Sequence, residues 1–461
     1  MLKQMSLFVL SLFLFALIMT CGAASAEGLA RPNMIVIIAD DMAWDDCGAY
    51  GHPHIRTPNI DRLAREGMRF SSAFLTCSSC SPSRSSINTG RYPHATGAGE
   101  LHQSIPGEQV LFASLLKEAG YFTAACGKWH MGNAVKEQYD VVREGGNPAG
   151  YGYWLPALQE RPKDQPFFLW LATTDPHRGY QLNTIAEPHE SSDAVVPPYM
   201  PDIEATQGDL ALYYDEIGRL DLWVGKVLDE LESQGVADET LILFMSDNGR
   251  PFPRCKTTVF DSGVQTPFIV RWPEAVAQGV VTDGLVSSVD IAPTFCELAG
   301  VELSPTFQGV SFAAQLSDAD APGRDYVHSE HNWHDYRAFE RSVRDERYLY
   351  VYNGLPETPR TPPADAVRSP TYAAMQQLYA EDGLNEDQLG CFETPIPKEQ
   401  LFDVLADPHQ LNDLAADPAH AETLQRMRDQ FAIWQEETGD VELPEEELTP
   451  DGFHRELGTR L

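Results

Sequence analysis

The chain has 461 residues, 43% of them hydrophobic, enough for one large core and a smaller one. Its formal charge is -35, from 33 basic and 68 acidic residues. Such a surface repels nucleic acid, and it admits a polyanion only where local cations line a pocket. Gly and Pro follow no fixed period, which excludes collagen-like and solenoid architectures.

At the N-terminus, Lys3, an apolar run over 7–19 and the small-x-small triplet Ala24-Ser25-Ala26 predict a secretory signal over residues 1–26. The expected location is periplasmic or secreted. A lipid anchor at Cys21 is the weaker alternative, because residues 18–21 make a poor lipobox. No later stretch is apolar and long enough to be transmembrane. Cleavage after Ala26 leaves seven of the eight cysteines, an odd number with no dense disulfide spacing.

Short apolar runs at 34–39, 121–125, 166–172, 240–245 and 267–270 read as buried strands. Segments 59–66 and 210–232 between them carry apolar residues at helical spacing. This alternation predicts an α/β fold with a mostly parallel central sheet sandwiched by helices. Beyond the polar stretch 317–324 the pattern changes. Residues 343–352 alternate like one antiparallel strand, 356–369 are Pro- and Thr-rich and read as a surface loop, and 421–437 form an amphipathic helix. The acidic stretch 442–447 reads as poorly ordered. The expected division is a catalytic domain over 27–320 and a smaller C-terminal α+β domain over 321–461.

Chemistry gathers where the apolar runs end. Run 34–39 ends in Asp40-Asp41, and run 240–245 ends in Ser246-Asp247-Asn248-Gly249. Ligands bind at the carboxyl ends of strands in open parallel sheets. Three carboxylates and an amide there repel one another unless a cation intervenes, and oxygen-only donors suit Ca²⁺ or Mg²⁺. Run 121–125 leads to Gly127-Lys128-Trp129-His130, run 166–172 leads to Asp175-Pro176-His177, and Lys256 precedes run 267–270. Two Lys and two His beside a metal suit transfer of an anionic group.

The sharpest motif is Cys80-Ser81-Pro82-Ser83-Arg84, with Thr89-Gly90-Arg91 after it. Pro82 just inside a helix start puts Cys80 at the positive end of the dipole and Arg84 one turn in, an anion-binding arrangement. Local chemistry alone leaves a Cys77–Cys80 disulfide or a packed thiol equally open.

This motif resembles the signature of type I sulfatases, in the alkaline phosphatase superfamily. The similarity extends through Asp40-Asp41 with Asp46-x-Gly48-x-Tyr50-Gly51, Thr57-Pro58-Asn59-Ile60-Asp61, Gly127-Lys128-Trp129-His130, Asp175-Pro176-His177, Ser246-Asp247-Asn248-Gly249 and Leu401-Phe402-Asp403. The resemblance implies an alkaline phosphatase-like fold and a sulfuric ester hydrolase. It implies Ca²⁺ held by Asp40, Asp41, Asp247, Asn248 and a modified Cys80. Cys80 would be converted to Cα-formylglycine by a formylglycine-generating or anaerobic sulfatase-maturating enzyme. One hydroxyl of the hydrated aldehyde would attack sulfur with help from Asp247. Arg84, Lys128 and Lys256 would offset charge, His177 would protonate the leaving group, and His130 would assist release of sulfate.

Ser79-Cys80-Ser81-Pro82-Ser83-Arg84, Leu101-His102-Gln103, Asp175-Pro176-His177-Arg178 and Ser369-Pro370-Thr371-Tyr372 look like the heparan N-sulfatase branch. Lys256, however, stands where that branch is expected to carry Arg. The expected substrate is a sulfated polysaccharide or oligosaccharide, attacked from its end at an O-sulfate, with N-sulfate as the alternative. A phosphonate or phosphodiester hydrolase of the same superfamily, and a glycan-binding protein without catalysis, are the remaining readings. His102, His331, Trp333 and His334 are the candidate sugar contacts.

Overall fold

The computed structural model describes residues 31–440, so the signal segment, Cys21 and residues 442–447 lie outside the described residues. Strands β1 (Asn33–Ala39) and β2 (Met68–Phe70) flank helix α1 (Pro58–Glu66), and helix α2 (Cys80–Thr89) follows. Then come β3 (Phe122–Gly127), β4 (Val141–Glu144), β5 (Phe167–Ala172), α3 (Glu204–Ser233), β6 (Thr240–Ser246), β7 (Phe268–Arg271) and β8 (Val280–Thr282). These strands form one eight-stranded sheet in the order β4-β3-β5-β1-β6-β7-β2-β8. Strands β4, β3, β5, β1 and β6 run parallel, and β7 is antiparallel to β6.

β1 pairs on both sides and is buried on both faces, which is why it reads as an unbroken apolar run. Its odd and even residues join different cores: Met34, Val36 and Ile38 face one, Ile35 and Ile37 the other. Helix α3 covers the second face through Leu210, Tyr213, Ile217 and Leu220. It begins at Glu204, earlier than the apolar periodicity from Leu210 indicates. Its polar first turns are anchored instead by Asp209, which takes a bidentate pair from Arg178 at 2.8 and 2.9 Å.

A second sheet carries β9 (Val327–His331), β10 (Glu340–Arg344), β11 (Tyr348–Asn353) and β12 (Glu399–Asp403), all antiparallel, with helix α4 (Ala421–Thr438) against it. The single strand expected over 343–352 is two strands. Asp345 accepts from the backbone N–H of Arg347 and Tyr348 at 2.8 and 2.6 Å, an Asx turn that folds the alternating segment into a hairpin. The loop expected over 356–369 also contains a short helical turn at Ala364–Val367 and is partly buried.

The second sheet meets the segment just before α2. Ser329 Oγ donates to Leu75 O at 2.6 Å, and Glu330 N donates to Thr76 O at 2.8 Å. Strand β9 thereby holds the segment that leads into the Cys80 helix. No described helix is long and apolar enough to cross a membrane.

Candidate active site

Parallel pairing brings the C-terminal ends of β1, β3, β5 and β6 to one edge, and the next residues on each are polar. Asp40 N donates to Asp175 O at 2.8 Å and Asp247 N to Ala39 O at 3.2 Å, so the strand ends are laced together. Asp40, Asp41, Asp247 and Asn248 are all at most 1% exposed. Asp41 adopts φ 73°, a left-handed conformation that costs a non-glycine residue about 1–3 kcal/mol and marks a strained site.

Lys128 follows Gly127, whose φ is 95° and whose missing Cβ would lie 1.7 Å from Ala172 O. Only glycine permits that close approach, and it sets where Lys128 leaves β3. Lys128 Nζ lies 2.6 Å from both oxygens of Asp40. Lys256 Nζ lies 2.8 Å from Asp41 Oδ2. Arg84 donates from Nε to Asp247 Oδ2 at 2.8 Å. Burial pushes the Asp40 carboxyl up, but Lys128, His177, Arg84 and Lys256 together hold it below the usual carboxylate range. Burial and the neighbouring Asp40 raise Asp247 to about 6 against the pull of Arg84. Burial opposes the charge on Lys256, yet Asp365 and Asp41 keep it firmly protonated.

Cys80 opens α2, a helix with all ten residues buried that ends at Gly90 in a left-handed cap. Its Sγ lies 3.7 Å from Asp41 Oδ1. Burial pushes the thiol well above its ordinary value despite Lys128 and Lys256, so the side chain is a neutral thiol, a poor nucleophile. Cys77 and Cys80 are both free, as are the other described cysteines.

His177 is 34% exposed, with Nε2 at 3.9 Å from Asp41 Oδ2. Its Nδ1 lies 3.0 Å from Arg178 O. A carbonyl only accepts, so Nδ1 carries a proton and Nε2 faces the site. His130 Nε2 lies 2.8 Å from His102 Nδ1. Burial, with Lys128 and His102 beside it, pushes His130 far below its ordinary value and keeps it neutral. His334 Nδ1 lies 2.7 Å from Ser79 Oγ, the residue before Cys80, and burial likewise holds it neutral. His331 is buried in β9 with Nδ1 unpartnered. Trp333 is 2% exposed, so its ring face is packed inside.

Asp365, from the loop read as surface, was not anticipated. Its Oδ2 lies 3.5 Å from Lys256 Nζ and 3.5 Å from His177 Nε2. An Asp in a Pro-rich segment 109 positions beyond Lys256 leaves no local signal. Arg178, which the sequence offers only as part of a motif, is pinned by Asp209, which fixes the residue adjoining His177.

One ligand atom each of Asp40, Cys80 and Asp247 lie within 4.8 Å of one another. The buried Asn248 Oδ1 has no partner, while its Nδ2 donates to Asp41 Oδ1 at 2.5 Å. An unsatisfied buried oxygen beside clustered carboxylates fits a hard cation with oxygen ligands.

The sulfatase family pattern matches residues 32–301, more than half of the chain. The chain belongs to the sulfatase family. The pattern of the N-sulphoglucosamine sulphohydrolase C-terminal region matches residues 255–353 of this sulfatase. It is 32% identical to the human N-sulphoglucosamine sulphohydrolase over 95% of this chain and 98% of that one. It is 30% identical to an ulvan-active sulfatase of Formosa agariphila, over 91% of this chain and 77% of that one. Among solved structures, a protein bound to its substrate D-glucosamine-2-N,6-O-disulfate superposes with TM-score 0.70 at 20% identity, covering 91% of this chain and all of that one. The phosphonate monoester hydrolase of Agrobacterium radiobacter superposes with TM-score 0.69 at 18% identity, covering 88% and 96%. At those identities the superpositions carry the alkaline phosphatase-like sulfatase fold and not the substrate.

Proposed function

We propose that this sulfatase is an exported enzyme that removes an O-sulfate from the end of a sulfated glycan, using Ca²⁺ and a formylglycine made from Cys80. The observation that carries this reading is the convergence of Cys80 with Arg84, Lys128 and Lys256 on one carboxylate cluster. Asp40, Asp41, Asp247 and Asp365 face three fixed cations there, leaving one negative charge in excess. A divalent cation reverses that excess to one positive charge, the complement of a sulfate ester.

Asp40, Asp41, Asp247 and Asn248 would hold the cation, with residue 80 beside them. The cation supplies Lewis-acid polarisation, and the hydrated aldehyde supplies an oxygen nucleophile with a built-in exit by carbonyl formation. With Asp40, Asp41 and Asp247 taken up, Lys128, Lys256 and Arg84 would turn their charges to the sulfuryl oxygens. His177 Nε2 faces the site and is placed to hand a proton to the leaving oxygen. Asp365 Oδ2 lies 3.5 Å from the same nitrogen. His130, held neutral, is fit to accept a proton from residue 80 as sulfate departs.

A buried residue 80 favours action on a chain end, because a mid-chain sulfate would have to bring both flanking sugars down with it. The -35 surface charge also disfavours tracking along a polyanion. The likeness to an ulvan-active sulfatase and Lys256 in the sulfatase lysine position support the O-sulfate reading. The C-terminal match over 255–353 favours N-sulfate as the second reading.

Sulfate release should be measured from 4-nitrophenyl sulfate, D-glucosamine 6-O-sulfate, D-glucosamine 2-N-sulfate and ulvan oligosaccharides, with peptide mass spectrometry at residue 80. Fully active protein carrying only a Cys80 thiol sinks the formylglycine reading. Release from the 2-N-sulfate alone replaces O-sulfate by N-sulfate.

A further inference from the structure

A small, partly open cavity beside His331 takes no part in the proposed catalysis. Thr257, next to Lys256, and His334, whose Nδ1 lies 2.7 Å from Ser79 Oγ beside Cys80, line it on the side of the proposed site, and His331, Glu340, Asn353 and Arg360 supply much of its remaining polar lining. His331, Glu340 and Asn353 are 4%, 3% and 2% exposed. Yet His331 Nδ1, Glu340 Oε2, Asn353 Nδ2 and Arg360 Nη2 have no protein partner. Buried polar atoms are almost always satisfied, so four orphans around one cavity call for an occupant.

Other atoms of these groups are already fixed. Asn353 Oδ1 accepts from Leu355 N at 3.0 Å, so the amide nitrogen is the atom left over. Arg360 Nε pairs with Glu340 Oε1, leaving one bare carboxylate oxygen. The cavity is about 30 Å³, room for a water-sized group or two and not for a sugar ring. Arg337 and Arg360 in the lining are matched by Asp335 and Glu340, and burial pushes the His331 imidazole down to about 4. The lining is therefore neutral overall and offers both donors and an acceptor. A second sulfate or a carboxylate could accept from Asn353 Nδ2 and Arg360 Nη2 but has no proton for the bare Glu340 oxygen; a hydroxyl serves both sides.

We propose that this cavity admits one uncharged, hydroxyl-bearing substituent of the substrate sugar, its O–H donating to Glu340 Oε2 and its oxygen accepting from Asn353 Nδ2, and that it rejects sugars carrying a second anionic group at that position. The proposal rests on the sulfatase reading and narrows which saccharides that site takes.

The test compares wild type, Glu340→Gln and Asn353→Asp on 4-nitrophenyl sulfate, D-glucosamine 2-N-sulfate, D-glucosamine 6-O-sulfate and D-glucosamine 2-N,6-O-disulfate, with thermal unfolding as the folding control. Wild type should prefer a monosulfate over the disulfate by about 10-fold or more in kcat/KM, the scale of one unpaired buried group. Glu340→Gln should shrink that preference, and Asn353→Asp should raise KM for the monosulfate about 10-fold more than KM for the aryl sulfate. Equal handling of mono- and disulfate by wild type overturns the proposal. So do folded variants with unchanged sugar discrimination, which would show a cavity holding water only, and a wild type that cleaves the aryl sulfate but none of the three sugars. Failure of wild type on the aryl sulfate and every sugar overturns the sulfatase reading instead.

Discussion

Two buried clusters of acidic groups are built to opposite ends: one beside Cys80, the other around Glu330 of β9. In the first, Asp40, Asp41 and Asp247 crowd against Arg84, Lys128 and Lys256 while Asn248 Oδ1 stays bare. In the second, Glu330 and Asp440 meet His94 and Arg341. Arg341 pairs Asp440 at 2.8 and 2.9 Å, His94 Nδ1 meets Glu330 Oε2 at 2.5 Å, and Asn332 Nδ2 and His94 N both donate to Glu330 Oε1. The second cluster leaves none of its carboxylate oxygens bare, and it ties the end of α4 to the second sheet. Acid count therefore does not distinguish a site from a brace. The distinction lies in whether the polar atoms are already paired with one another.

The sharpest way to break this comparison is at residue 80. Cys80→Ala should lower kcat/KM on 4-nitrophenyl sulfate by at least about 10³-fold, the scale of losing an activated nucleophile, with thermal unfolding little changed. Arg341→Met should do the reverse. Removing one partner of a buried pair costs about 3–5 kcal/mol, so denaturant midpoints should fall while aryl sulfate turnover per folded molecule holds. A folded but inactive Arg341→Met would erase the distinction. Lys256→Ala should cost about 10²–10³-fold in kcat, read by steady-state kinetics, as loss of a group aimed at developing charge does.

Ca²⁺ sharpens the contrast further. At 100-fold above its Kd it should stabilise the protein by about 2.7 kcal/mol in calorimetry, and Asp247→Asn should abolish that gain. Arg341→Met should retain it. The smallest effect concerns pH. Burial pushes His94 down, but Glu330 and Asp440 more than offset this, and its folded value lies above the ordinary one. The imidazolium's contribution to stability is then fully present below the unfolded value of about 6.5 and fades as pH rises through the folded value. Urea midpoints measured across that range should fall with pH, and His94→Gln should flatten the slope.

Much of this was legible in the sequence because the first cluster is assembled from strand ends. A fully buried parallel strand is an unbroken apolar run, so its last residue is visible, and the polar residues just beyond it fall on the sheet's binding edge. Asp40, Lys128, His177 and Asp247 were all found that way, and the structure brings them together. Asp365 was not, because it reaches Lys256 through a Pro-rich loop whose composition speaks only of turns. The second cluster was also invisible: Glu330 and Asp440 look like ordinary surface acids until β9 and α4 are packed together. The hairpin at Asp345 was missed for a smaller reason, since alternation continues across a tight turn and only the Asx side chain marks the break.

The hydrogen bond from Ser329 to Leu75 spans 254 residues. At typical synthesis rates the chain needs roughly 10–50 s to make that stretch. Until then the segment leading into Cys80 lacks its hydrogen bonds to Ser329 and Glu330, so the packing that leaves Cys80 2% exposed is completed only after the second sheet has been made. The long loop is thus also a delay between making Cys80 and closing the contacts that bury it.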